Sequence, residues 1–143
     1  MPNNMQQANV QTDLYTLQLP SKPESIAVLE SLIEEIADKY RIGDDTFGNM
    51  MTCLNEAVNN AIIHGNKQDP AKKVIVNAEI DYKRAVWTIT DEGKGFDYVH
   101  LADPTAPENL ESLSGRGVFI IKHLADQCVF NDAGNEVELL FKI

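Results

Sequence analysis

The chain has few of the features that would assign its class at once. Its 143 residues include only 2 cysteines, Cys53 and Cys128, which lie far apart and form no Cys-x-x-Cys pair. We therefore expect two reduced thiols in a cytoplasmic protein rather than a disulfide or a metal site. No apolar run approaches the roughly 18 residues that cross a bilayer, and no signal-peptide pattern is visible at the start, so we expect no membrane association.

Basic residues are also scarce. The chain has 12 Lys and Arg against 22 Asp and Glu, which gives a net charge of -10. Nucleic acid is a poor candidate partner, because Lys and Arg are the residues that hold phosphate backbones. The charge suits a basic protein partner, although a solvated acidic surface is the simpler interpretation.

The common nucleotide and hydrolase motifs are absent as well. The sequence contains no Gly-x-x-x-x-Gly-Lys-Ser/Thr phosphate loop and no Gly-x-Gly-x-x-Gly after a strand. It also lacks His-Glu-x-x-His and Gly-x-Ser-x-Gly. A nucleotide, if the protein binds one, must therefore be held by another geometry.

Length and periodicity predict one domain at residues 12–143 behind a flexible polar tail at 1–11. Apolar patterns predict the order β-α-α-β-β-loop-α-β-β, with strands at 14–19, 74–80, 85–90, 127–130 and 137–143. The natural packing is an α+β fold, a two-layer sandwich with a mixed, largely antiparallel sheet and helices on one face.

Three helices are expected between these strands. Ser21 and Glu24 have the form of a capping box for the first helix, which ends near Gly43. Asp44 or Asp45 caps the second helix, and Gly65 suits the left-handed position at its end. The third helix covers 118–125. The segment 91–116 is long and irregular, and such segments are usually functional or mobile.

The first polar cluster lies on the second helix, within the segment Asn55–Gly65. Glu56, Asn60 and His64 are spaced by four residues, so they share one helix face. An amide oxygen is a hard ligand for Mg²⁺, and a carboxylate can act as a base. The alternative is a solvated polar face.

Two glycine clusters complete the pattern. Asp91-x-Gly93-x-Gly95 directly follows a strand, where glycines let the backbone approach a flat ligand and a carboxylate can accept from an exocyclic amine. Gly115-Arg116-Gly117 precedes the third helix, where backbone N–H groups and a guanidinium can hold an anion. Taken alone, these clusters are a tight turn and a flexible hinge.

Together, in this order and spacing, the three clusters resemble the GHKL superfamily of ATP-binding domains, over roughly residues 14–143. The helix cluster is similar to its N box, and the glycine clusters are similar to its two glycine boxes. Within the superfamily the chain resembles the anti-sigma factor serine kinases, on Asn55–Gly65 and Gly115–Ile121 and on its single-domain length. The resemblance implies the Bergerat fold of histidine-kinase-like ATPases.

The resemblance also implies a role for each site residue. Glu56 would be the catalytic general base, Asn60 would coordinate Mg²⁺, and Asp91 would bind the adenine amine of ATP, with His64 among the ATP-binding residues. Gly93 and Gly95 would admit the adenine ring, and residues 104–117 would form a lid over ATP. The phosphates would be held by Gly115, Arg116 and Gly117, with Val118 beside them.

One departure from the family pattern affects the adenine contacts. Asn135 and Glu136 follow Gly134, where the family often has Thr after this glycine. The departure puts the detail of the adenine contacts in doubt more than ATP binding itself.

The function implied is an ATP-dependent serine kinase that phosphorylates a STAS-type antagonist and also sequesters a sigma factor. A homodimer through Leu14–Tyr40 is implied as well, and sedimentation showing only monomer would exclude it. The alternative is a catalytically silent ATP-binding adaptor, in which Glu56→Ala would leave partner control intact. A histidine kinase or gyrase-type ATPase would need a further domain that the chain does not provide.

Overall fold

The computed structural model describes residues 11–94 and 113–143, without the side chains of residues 113–116. Its strands are β1 (Asp13–Pro20), β2 (Lys73–Ile80), β3 (Arg84–Thr90), β4 (Gln127–Phe130) and β5 (Glu136–Lys142). Its α-helices are α1 (Ser25–Lys39), α2 (Asp44–Asn60) and α3 (Leu113–Leu124), and a π turn at Ala61–Gly65 continues α2. Most of the predicted tail, and Gly95, lie outside the described residues.

The described strands form one sheet in the order β1-β2-β3-β5-β4. All four neighbouring pairs are antiparallel, so the sheet is not mixed as the sequence suggested. Trp87 in the central strand β3 faces the small Ala78 on one side and Leu139 on the other. The predicted α+β architecture is confirmed.

The core lies between one face of this sheet and the helices. Alternate residues of β2, β3 and β5 are buried, as expected when a sheet has one covered face. They share a single apolar cluster with the inward stripes of α1 and α2, which include Leu29, Ile33, Ile36, Met50, Leu54 and Val58. The packing of α2 across the sheet fixes where its C-terminal end meets the ends of the strands.

Both predicted helix caps are wrong. Ser21 does not cap α1, because its buried hydroxyl donates to the Lys72 carbonyl at 2.8 Å and ties the end of β1 to the start of β2. The second helix has Gly43 at its N-cap and no side-chain cap. Asp44 and Asp45 occupy its first turn instead, where carboxylates favour the helix dipole.

Helix ends also differ from the prediction. Helix α1 stops at Lys39, before Gly43. Gly65 is not left-handed, and the positive φ angles that follow α2 fall on Lys67 (55°) and Gln68 (60°). Helix α3 begins at Leu113 rather than at 118, so Gly115–Gly117 lie inside its first turns and not before it. Within the described ranges, no helix is long and apolar enough to cross a membrane.

Candidate functional site

The C-terminal half of α2 lies against the start of α3 at Gly117. A Cβ on Gly117 would lie 2.5 Å from Glu56 Oε2 and 3.6 Å from Asn60 Nδ2. The Glu56 carboxylate therefore rests on the α3 backbone in space that any larger residue would occupy. The four-residue spacing of Glu56 and Asn60 places both side chains at this one contact.

Beyond Asn60 the helix widens into the π turn. The Asn66 amide donates to the Ala61 carbonyl at 2.8 Å, five residues back, and the Gln68 amide donates to Ile62 at 2.8 Å. Such π turns are uncommon and often lie at functional sites. Here the wide turn carries Gly65 and Asn66 to the end of β3.

Asp91 and Gly93 pack so closely against this π turn that a Cβ at either contacting glycine would overlap other atoms. A Cβ on Gly65 would lie 2.3 Å from Asp91 Cγ and 2.3 Å from Oδ2. A Cβ on Gly93 would lie 1.9 Å from the Gly65 carbonyl oxygen. Glycine is required at both positions by this contact, not by a left-handed backbone.

The Asp91 carboxylate is nearly buried, with 5% of the residue exposed. Its own backbone amide donates to the Asn135 carbonyl at 2.9 Å, and Oδ1 accepts the Gly93 N–H at 2.8 Å. Burial raises the pKa of Asp91, and the Gly93 hydrogen bond partly opposes that rise. A desolvated acceptor held in this way suits a ligand that brings its own N–H donor.

A pocket opens beside Asp91, between the sheet and helices α2 and α3. It is partly open to solvent. Asn60 and Asp91 supply polar groups, and the remaining walls are mostly apolar, formed by Ala57, Ala61, Ile89, Ile121, Phe130, Gly134, Asn135, Glu136 and Val137. Apolar walls with a few placed polar groups are typical of small-molecule sites.

The turn between β4 and β5 closes one side of this pocket. Asn131 Oδ1 accepts the amides of Gly134, Asn135 and Glu136 at 2.8, 3.0 and 3.2 Å. Asn131 Nδ2 donates to Asn135 Oδ1 at 2.6 Å, and Gly134 takes a positive φ of 78°. The residue that departs from the family pattern, Asn135, is thus held as part of the pocket wall.

The structure brings together most of the described residues that the sequence singled out. Asn60 and Asp91 line one pocket, and Glu56 meets Gly117 next to Asn60. Val118 is fully buried one residue further along α3. These assignments as ligand-binding residues remain predictions.

Four predicted residues are not part of this geometry. His64 is half-buried in the π turn, and burial lowers its pKa, which favours a neutral imidazole. Among described residues it does not line the pocket. Gly115 and Arg116 lie in the first turns of α3, and Gly95 lies outside the described residues, as does most of the predicted lid at 104–117.

Sequence reasoning missed two features of the site. Gly65 was interpreted as a helix stop, whereas its function is to make room for Asp91. Asn66 was included in the same stop signal, yet it is fully buried and hydrogen-bonded to Glu92 next to Asp91. The only signal was the His-Gly-Asn run itself, which reads as an ordinary helix end.

Comparison with known proteins gives a consistent match. The family model described as "Histidine kinase-like ATPase domain" matches residues 19–141. The chain is 26% identical to Serine-protein kinase RsbW of Staphylococcus epidermidis over 136 residues, 90% of this chain and 86% of that protein. It is 24% identical to Serine-protein kinase RsbW of Bacillus subtilis over 134 residues, 89% and 84% of the two chains. It is 37% identical to Anti-sigma F factor of Anoxybacillus flavithermus over 103 residues, 67% and 69% of the two.

The buried Asp91 carboxylate predicts a stability change for Asp91→Asn. Because burial raises the folded pKa of Asp91 above its unfolded value, the stabilisation from protonation is complete below the unfolded pKa and lost as pH rises through the folded one. The neutral variant should thus have a higher free energy of unfolding than wild type at about pH 7, with a gap that narrows towards about pH 4. Urea denaturation followed by fluorescence of the buried Trp87 measures the free energy of unfolding of the variant and of wild type at each pH. The substitution Asp132→Asn, at an exposed residue, is the control. An Asp91→Asn variant that is less stable than wild type at neutral pH would contradict a destabilising, desolvated Asp91 carboxylate.

Proposed function

Because the chain belongs to the histidine kinase-like ATPase domain family and, within it, to the anti-sigma factor kinases, we propose that it is an ATP-dependent serine protein kinase and anti-sigma factor. The observation that carries the proposal is the placement of two groups along α2. Glu56 lies at the contact with α3, and the Asp91 pocket lies one turn further on, with Asn60 shared between the two. Such an arrangement suits a ligand with a flat end and a charged end.

The flat end would be adenine. The apolar walls from α2, β3 and α3 would cover its faces, and the Asp91 carboxylate would accept its exocyclic N–H. Gly65 and Gly93 hold Asp91 at the pocket floor because neither has a Cβ to push the turn away. Gly95 is proposed to contribute to the same floor, and His64 to the edge of the ATP site.

The charged end would be the triphosphate with Mg²⁺. The Asn60 amide oxygen is the proposed metal ligand, and the described residues contain no cluster of three His, Cys, Asp or Glu side chains around it. Mg²⁺ prefers oxygen ligands and completes its shell with substrate phosphates and water, so the Asn60 amide oxygen is a suitable protein ligand for it. The Arg116 guanidinium and the backbone N–H groups of the first turn of α3, including those of Gly115 and Arg116, are proposed to hold phosphate oxygens, with Gly117 and Val118 beside them.

Glu56 is the proposed general base. It would take the proton from a substrate serine while the serine oxygen attacks the γ-phosphorus, the bond to the β-phosphate oxygen breaks, and ADP leaves. Bound Mg²⁺ would offset the negative charge on the phosphates. The chain's own contribution is to place Glu56 against Gly117 and to hold the nucleotide in line, which is most of what phosphoryl transfer requires.

The proposed partners are a STAS-type antagonist, which supplies the serine, and a sigma factor, which the protein sequesters. The names of its relatives as serine-protein kinase and anti-sigma F factor support this pair. The net charge of -10 also suits a partner with a basic surface. A homodimer through β1 and α1 is part of the proposal, since β1 lies at the sheet edge with Leu14 73% exposed.

Replacing the proposed base tests the kinase function. In Glu56→Gln, transfer of labelled phosphate from ATP to a STAS-type protein of the same organism should fall by about 100-fold or more, the usual contribution of a general base. Nucleotide affinity, measured by calorimetry, should change little because Asp91 and the pocket walls are untouched. Glu138→Gln on the exposed face of β5 is the control and should transfer at the wild-type rate.

Two outcomes would contradict this function. Full transfer by Glu56→Gln would remove Glu56 as the base. Nucleotide binding by the wild type without transfer to any STAS-type protein would favour the silent adaptor, in which partner control survives the loss of Glu56.

A second test uses the contact at Gly117. In Gly117→Ala the new Cβ would meet Glu56 Oε2, the mobile end of a long side chain, so the carboxylate moves while the fold holds. We expect the rate of phosphate transfer to fall by about tenfold or more, because a misplaced catalytic group slows the reaction. Gly48→Ala is the matched control, since nothing lies within 4 Å of its Cβ position. Wild-type transfer by Gly117→Ala would contradict the placement of Glu56.

A further inference from the structure

The Asn66 side chain joins three separate segments beneath the Asp91 turn. The residue is fully buried, and all of its carboxamide is used. Nδ2 donates to Ser21 Oγ at 2.8 Å and to the Lys73 carbonyl at 3.0 Å, and Oδ1 accepts the Glu92 amide at 2.8 Å. Ser21 follows β1, Lys73 begins β2, and Glu92 follows β3.

The hydrogen bond from the Glu92 amide to Asn66 Oδ1 is the one that connects Asn66 to the Asp91 turn. Glu92 stands between Asp91 and Gly93, and its own side chain accepts the Lys73 amide at 2.5 Å. The amide bond to Asn66 therefore fixes the middle of the turn whose first residue carries the buried carboxylate. The turn is also held by the Asp91 amide, which donates to the Asn135 carbonyl, and by the Lys73 amide. The bond to Asn66 is the one that ties the turn to the π turn, where the close packing of Asp91 and Gly93 on Gly65 is not itself directional.

The backbone of Asn66 shows how the side chain reaches that position. Its amide donates to the Ala61 carbonyl across the π turn at 2.8 Å, instead of to Ile62 as in a continued α-helix. Lys67 and Gln68 then take consecutive positive φ angles, which residues with a Cβ adopt at a cost. Local backbone strain is thus accepted in the segment that presents Asn66 to Glu92.

The network divides into two halves with different consequences. The Ser21 half ties the end of β1 to β2, because Ser21 Oγ also donates to the Lys72 carbonyl. The Glu92 half alone touches the Asp91 turn. Ser21→Ala therefore disturbs the same buried network without removing the bond to Glu92, and it serves as a matched control for a purely structural role.

We propose that Asn66 is a positioning residue that sets nucleobase selectivity by holding the Asp91 turn through the Glu92 amide, without touching the nucleotide. The inference rests on the proposed function, in which Asp91 accepts the adenine amine. The exocyclic group of guanine at that position is a carbonyl, which the Asp91 carboxylate would repel. A turn that is free to shift would lose adenine contacts first and would relax the discrimination against guanine.

The test compares the Kd of ATP and GTP, with Mg²⁺, for the 143-residue chain by calorimetry. Asn66→Ala should raise the Kd for ATP by about tenfold, as the loss of one well-aligned hydrogen bond to a charged group does. The Kd for GTP should change far less, so the preference for ATP falls. Ser21→Ala should lower the melting temperature while its ATP/GTP preference stays at the wild-type value.

The outcomes distinguish a positioning role of Asn66 from a purely structural one. Equal ATP/GTP preference in wild type and a folded Asn66→Ala overturns the positioning role, as does an equal loss of preference in Ser21→Ala. If Asn66→Ala does not fold, Asn66→Asp retains the acceptor for the Glu92 amide and should keep the preference at lower stability. A folded Asn66→Asp that has lost the preference overturns the proposal. Wild type that binds neither nucleotide contradicts the proposed function itself.

Discussion

The close contact between the end of α2 and the turn after β3 is the constraint on which the site depends. Asp91 occupies the space where a Gly65 side chain would lie, and the Gly65 carbonyl occupies the space of a Gly93 side chain. Two glycines from distant parts of the chain must therefore meet. Everything else in the site follows from this contact, because it fixes the buried carboxylate at the pocket floor and orients α2 above it.

One helix then serves both ends of the proposed ligand. The π turn that continues α2 meets Asp91, and α2 itself places Glu56 and Asn60 against Gly117 of α3. The protein accepts unfavourable terms to achieve this: a desolvated carboxylate, a π turn, and two left-handed residues with side chains. Such terms persist where the surrounding structure supports them, and they commonly mark functional sites.

Much of the fold was predictable, because apolar periodicity located all five described strands and the helices that cover them. The sequence also singled out Glu56, Asn60, Asp91 and Gly93 by their spacing and residue types. Asn60 and Asp91 line one pocket, and the roles proposed for all four residues remain predictions. The helix ends were not predictable: Ser21 resembles a cap in sequence but is used to join β1 to β2. Gly65 and Asn66 were misinterpreted because their partners, Asp91 and Glu92, are about 26 residues away in sequence, and long-range contacts leave no local pattern.

The most direct test of the account is a titration of the ¹⁵N-labelled chain with Mg-ADP, followed by amide chemical shifts. We expect the largest changes in residues 57–66, 89–94 and 134–137, which are the three segments that meet at Asp91. A ligand that shifts these amides strongly would support the contact of Gly65, Asp91 and Gly93 as the floor of the nucleotide site. Changes confined to other surfaces, such as the groove between Glu34 and Phe47, or no changes at all, would contradict it.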